Sequence, residues 1–191
     1  GDYILGAGAA VNFTSGTQTF TTGADISGAG LFNVNGGTMT VNATALSADN
    51  LQLSSGTLNG TGALTVDTAL TWSGGTMSGA GTTTVPSGAG LTISGSPQLA
   101  RTFTNNSTTA VWSGAGQIDL NAGTFNNAGT LTATGDGTLR ALTGNGTVNN
   151  SGSFIKNGGT GTTTINDNNV MTFNNSGTLD VQSGTVAVSY V

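Results

Sequence analysis

The sequence predicts an all-β parallel solenoid: a β-helix of about eight coils, each of roughly 20–25 residues. Three observations predict it. The charged helix formers are nearly missing, because Glu is absent and Lys and Arg total 3 of 191 residues, while the poor formers Gly, Thr, Asn and Ser abound. An apolar residue opens a series of similar segments at Val11, Leu31, Leu51, Leu70, Leu91, Val111, Leu131, Phe154 and Leu179. Short runs of alternating apolar and polar residues are separated by glycine turns inside each segment.

The openings lie 20, 20, 19, 21, 20, 20, 23 and 25 residues apart, so the repeat fills the chain and lengthens late. The expected organisation is one solenoid domain over 1–191, with an irregular start or partial coil over 1–10, regular coils of about 20 residues over 11–130 and longer coils over 131–191. Leu51-Gln-Leu-Ser-Ser-Gly-Thr-Leu58 and Leu70-Thr-Trp-Ser-Gly-Gly-Thr-Met77 each read as strand, glycine corner, strand. Three short strands and three corners in one repeat suit a solenoid coil better than a sandwich, which needs longer strands joined by hairpins. Stacking then places Leu31, Leu51, Leu70, Leu91, Val111 and Leu131 in one core ladder and Met39, Leu58 and Met77 in a second.

Smaller alignments support the register. Trp72-Ser-Gly and Trp112-Ser-Gly lie 40 residues apart, two repeats. Asn-Asn-(Ala/Ser)-Gly-(Thr/Ser)-(Leu/Phe) occurs at Asn126, Asn149 and Asn174, with a degenerate copy at Asn105. Those four asparagines predict a structural ladder of side-chain amides bonded along the axis.

The longer repeats Trp72-Ser-Gly-Gly-Thr-Met-Ser-Gly-Ala-Gly-Thr-Thr-Thr-Val85, Phe125-Asn-Asn-Ala-Gly-Thr-Leu131 and Asn174-Asn-Ser-Gly-Thr-Leu-Asp-Val-Gln-Ser-Gly-Thr-Val186 resemble those of large secreted bacterial surface proteins. They are similar to autotransporter passengers and filamentous-haemagglutinin-type β-helices. The resemblance implies a right-handed parallel β-helix, export to the cell surface, and a role as stalk, adhesin or matrix component. It brings no catalytic residues.

Composition bears on function directly. With 3 cations, 8 Asp and a net charge of −5, the chain lacks the basic cluster that phosphate neutralisation needs, which argues against nucleic acid. No apolar run is long enough for a transmembrane helix. Cys and His are absent, so thiol chemistry, disulfides and histidine-based catalysis are excluded. Asp25, Asp49, Asp67, Asp119, Asp136, Asp167 and Asp180 fall at different places within their repeats, with Asp49 and Asp67 nearest to a stacked pair. The expectation is no catalytic site, no cofactor and no metal. Gly135-Asp-Gly137 lacks the tandem context of a calcium turn and reads as a solvated corner.

Binding is the alternative. Thr17, Thr38, Thr57 and Thr76 occupy equivalent positions, the style of an ice- or carbohydrate-binding face, but the row breaks in repeats containing Pro97, Asp119 and Arg140. Trp72 and Trp112 are the candidates for stacking on sugar rings, although alternating strand positions read them as core. No polar cap is visible in Asp2-Tyr-Ile-Leu5 or in the closing Val-Ala-Val-Ser-Tyr-Val191. Self-association end to end, or continuation into adjoining repeats, is therefore the expected partnership, with surface glycans second.

Overall fold

The computed structural model describes residues 1–166 and 170–189. Asp167, Tyr190 and Val191 lie outside the described residues. The chain is an all-β parallel solenoid of about nine turns, one more than the repeat count predicts. Each strand pairs in parallel with its equivalent one turn away, in two sheets of 16 and 9 strands among the described residues. The larger sheet wraps a corner, so a turn has three faces. Face I carries the strands that open each repeat, from Ala10–Phe13 to Thr178–Val181. Face II runs from Thr17–Phe20 to Thr185–Val188. Face III includes Thr82–Val85, Thr102–Asn105, Thr124–Asn127, Thr147–Asn150 and Thr172–Asn175. In Ala45–Leu53 and Ala63–Trp72 faces III and I merge into single long strands.

The core consists of rows of alternate residues pointing inward. On face I one row is Val11, Phe32, Leu51, Leu70, Leu91, Ala110, Leu131, Phe154 and Leu179. Two predicted members of the core ladder are thereby corrected. Leu31 and Val111 point outward and are only half-buried; Phe32 and Ala110, their neighbours, take the inward places. The even 20-residue spacing misleads because the true steps are 21, 19, 19, 21, 19, 21, 23 and 25 residues. In a strand of period two, an error of one residue reverses the face. The second predicted row holds: Met39, Leu58 and Met77 are buried and in register, continuing to Leu99 and Leu120.

Corners, not strands, absorb the longer late repeats. On face II Arg140 pairs with Asp119, yet Thr147 comes seven positions after Arg140 where Thr124 comes five after Asp119. The extra length is the exposed bend 142–145 between faces II and III. The first residues form a partial coil, in which Tyr3–Ile4 pairs with Ile26–Ser27 on face III. Tyr3 packs on Phe32 at 5.2 Å between ring centroids, and Phe32 on Phe13 at 5.2 Å, so aromatic rings fill the interior towards that end. At the corner between faces I and II, Gly56 (φ 76°) and Gly75 (φ 70°) stack. A Cβ on Gly75 would sit 2.7 Å from the Gly56 carbonyl oxygen, so this corner needs both the left-handed backbone and the missing side chain.

Candidate functional site

The axial rows are the chemical features of this molecule. Two asparagine rows stand side by side on face III. The inner row is Asn105, Asn127, Asn150 and Asn175, and the outer row is Thr104, Asn126, Asn149 and Asn174. The predicted ladder is corrected at one member, since Asn105 stacks on Asn127 and not on Asn126. In the inner row Asn105 Nδ2 donates to Asn127 Oδ1 (2.8 Å), Asn127 Nδ2 to Asn150 Oδ1 (2.6 Å) and Asn150 Nδ2 to Asn175 Oδ1 (2.7 Å). The second amide proton of Asn127 goes to Ser153 O (3.0 Å), and that of Asn150 to Thr178 O (2.9 Å). Asn105, Asn127 and Asn150 are buried, and each satisfies its own amide while tying the corner carbonyl ahead of it. The outer row bonds in the opposite sense: Asn174 Nδ2 donates to Asn149 Oδ1 (2.9 Å), and Asn149 Nδ2 to Asn126 Oδ1 (2.8 Å).

All three cations are committed internally. Arg101 is buried at the corner between faces II and III, where Nε donates to Gly81 O and Nη2 to Gly62 O and Thr82 O, each at 3.1 Å. Its guanidinium thus spans three successive turns, and burial pulls its pKa down to about 10. Lys156 stands in an inward face I row between Ala133 and Val181, a place held by Trp72 and Trp112 on earlier turns. Its buried ammonium donates to Asp136 Oδ1 (2.7 Å), Gly158 O (2.9 Å) and Gly135 O (3.1 Å). That bond from Lys156 holds the Asp136 carboxyl below its ordinary pKa, helped by the Gly161 N–H. The Gly135-Asp-Gly137 corner is therefore a lysine clamp that ties down the enlarged corner 157–161 of the next turn. Arg140 Nε donates to Asp119 Oδ1 at 2.7 Å on face II.

Asp2, Asp49, Asp67 and Asp180 also have local partners. Asp49 accepts from the Gly28 N–H (2.7 Å) beside a register shift, and Asp67 accepts from the Ser47 hydroxyl. The two that sequence spacing brings nearest thus serve separate contacts. Trp72 and Trp112 are 0% and 1% exposed and lie inside the stack, so neither offers a ring face to a sugar. Trp72 packs instead against Phe103 at 5.7 Å, and Phe103 against Phe125 at 5.2 Å.

Outward rows complete the surface. The threonine row on face II is real over Thr17, Thr38, Thr57 and Thr76, and then continues as Gln98, Asp119 and Arg140. A longer row escapes the sequence reading. On face III, Thr82, Thr102, Thr124, Thr147 and Thr172 align in register, two positions before Thr84, Thr104, Asn126, Asn149 and Asn174. Its signal is present as Thr-Thr-Thr-Val, Thr-Phe-Thr-Asn, Thr-Phe-Asn-Asn, Thr-Val-Asn-Asn and Thr-Phe-Asn-Asn, but it appears only once the strands begin at that Thr. With these rows in place, comparison with known proteins assigns no family: no protein-family model, no curated protein and no solved structure matches the chain.

Proposed function

We propose that this chain is a non-catalytic structural segment of an extracellular fibre, adhesin or matrix filament, of the kind bacteria place at their surface, and that its terminal turns stack on further solenoid turns. One observation carries this reading: the two inward rows of face I end apolar in both terminal turns. At one end Val11 and Phe13 are half-buried, and at the other Leu179, Val186 and Val188 are half-buried while Val181 is 45% exposed. Another turn in the same register would cover them and satisfy the open backbone edges of Thr178–Val181 and Thr185–Val188. A turn of the same polypeptide and a turn of a second copy make the same contact. The secreted, surface-fibre setting rests on the style of the Gly, Thr and Asn repeats. Its non-catalytic character rests on acids that are spread over separate local contacts.

Sedimentation velocity with negative-stain imaging tests this over rising concentration. The wild-type chain is expected to lengthen along one axis at constant width. The double variant Val181→Lys, Val186→Lys, which puts charge on the last turn, is expected to stay single. A wild type that remains a single particle throughout, or a variant that elongates equally, contradicts the reading.

A further inference from the structure

The face III array has a chemistry of its own, independent of what meets the ends. Among the described residues the hydroxyls of Thr82, Thr102, Thr124, Thr147 and Thr172 have no protein partner, whereas the amides beside them are bonded to one another. Each free hydroxyl offers one donor and two acceptor positions, and a β-branched side chain holds it in few rotamers. Parallel pairing repeats this unit at about 4.8 Å along the axis.

Charge narrows the partner. None of the ten outward positions is ionisable, and the flanking corners 86–89, 106–109, 128–129, 151–152 and 176–177 carry no charge either. Arg101 and Lys156 are buried and Arg140 is paired with Asp119, so no cation faces outward here to meet a polyanion. The buried tryptophans remove ring stacking as a mode of recognition. Area narrows it further. Five turns of about 4.8 Å, by a strand width of about 10 Å, give roughly a third of the ~800 Å² per partner that a stable protein pair buries. A second copy of this chain laid on the face is thus undersized, while a partner that continues past the face and is met by many molecules gains by avidity.

We infer that face III is a docking surface for an uncharged polysaccharide chain lying along the solenoid axis, held by hydrogen bonds from the threonine and asparagine rows. This goes beyond the structural role proposed above, and it holds or fails separately from end stacking.

The test is depletion from solution by insoluble cellulose, chitin and β-1,3-glucan, with alginate and pectate gels as anionic comparators. The triple variant Thr102→Val, Thr124→Val, Thr147→Val removes three hydroxyls but keeps shape and strand preference. Thr38→Val, Thr57→Val, Thr76→Val makes the same change on face II. Circular dichroism and the melting temperature check that both remain folded. The wild type and the face II variant are expected to be depleted by at least one neutral polymer, with little dependence on salt, and the face III variant to lose at least about tenfold in affinity. Four results overturn the inference: no depletion by any neutral polymer, equal loss in both variants, salt-sensitive binding to the anionic gels alone, or arrest of ice growth without polysaccharide binding.

Discussion

Asn127→Ala is expected to destabilise the solenoid by about 3–5 kcal/mol, the sum of two or three buried polar groups left without partners. The asparagine accepts from Asn105, donates to Asn150 and donates to the Ser153 carbonyl, and it is buried on every side. Alanine removes all three bonds at once and admits no obvious substitute. Asn126 is the control. It is one residue away in sequence, but it lies in the half-buried outer row, where water replaces what is lost. Asn126→Ala is expected to cost under about 1 kcal/mol. Urea midpoints of the two variants, at unchanged slope, measure the difference. Equal midpoints would mean that the inner row is not the stronger tie.

Gly116→Ala is expected to be the most damaging small substitution at a corner, costing about 4 kcal/mol or more, or preventing folding. A Cβ on Gly116 would overlap the Gly95 carbonyl oxygen and crowd the carbonyl carbon behind it. Both are backbone atoms of the adjacent corner and not the end of a flexible side chain, so relief needs a backbone shift. Gly88 has open space at the same position, and Gly88→Ala is expected to stay within about 0.5 kcal/mol of the wild type. Thermal melts of the pair check this, and a wild-type melting temperature for Gly116→Ala would contradict it.

These contrasts bear on how much a sequence of this kind discloses. The fold was legible because glycine corners, a repeat near twenty residues and the near absence of charged helix formers agree with one another. The register was legible only where strands begin alike. Leu51, Leu70, Leu91 and Leu131 align as the repeat predicts, whereas Leu31 and Val111 each precede or follow an equally apolar neighbour that takes the inward place. Apolar pattern cannot rank Leu31 against Phe32; parallel pairing with Leu51 can. The interior positions of Arg101 and Lys156 were illegible for another reason. A charged residue is expected outside, and only the groups that receive it explain why it is inside: the carbonyls of Gly62, Gly81 and Thr82 for Arg101, and the Asp136 carboxylate with the carbonyls of Gly135 and Gly158 for Lys156. Those carbonyls belong to other turns or to corners. The hydroxyl row of face III was hidden in the same way, since each Thr is unremarkable until five turns are aligned.

Register is the claim on which every row depends, and paired cysteines test it most directly. The chain has no cysteine of its own, so two introduced thiols can pair only with each other within a molecule. Thr92 and Val111 are cross-strand partners on the outer side of face I, whereas Leu91 points inward and Val111 outward. Adjacent parallel partners stand at about 4.8 Å, within the range a disulfide spans, and residues on opposite faces direct their Cβ atoms apart. Thr92→Cys with Val111→Cys is expected to form an intramolecular disulfide in the folded monomer under mild oxidation. Leu91→Cys with Val111→Cys, the pair that an even 20-residue repeat aligns, is expected to stay reduced. Closure of the second pair, with the first remaining open, would contradict the stack described above.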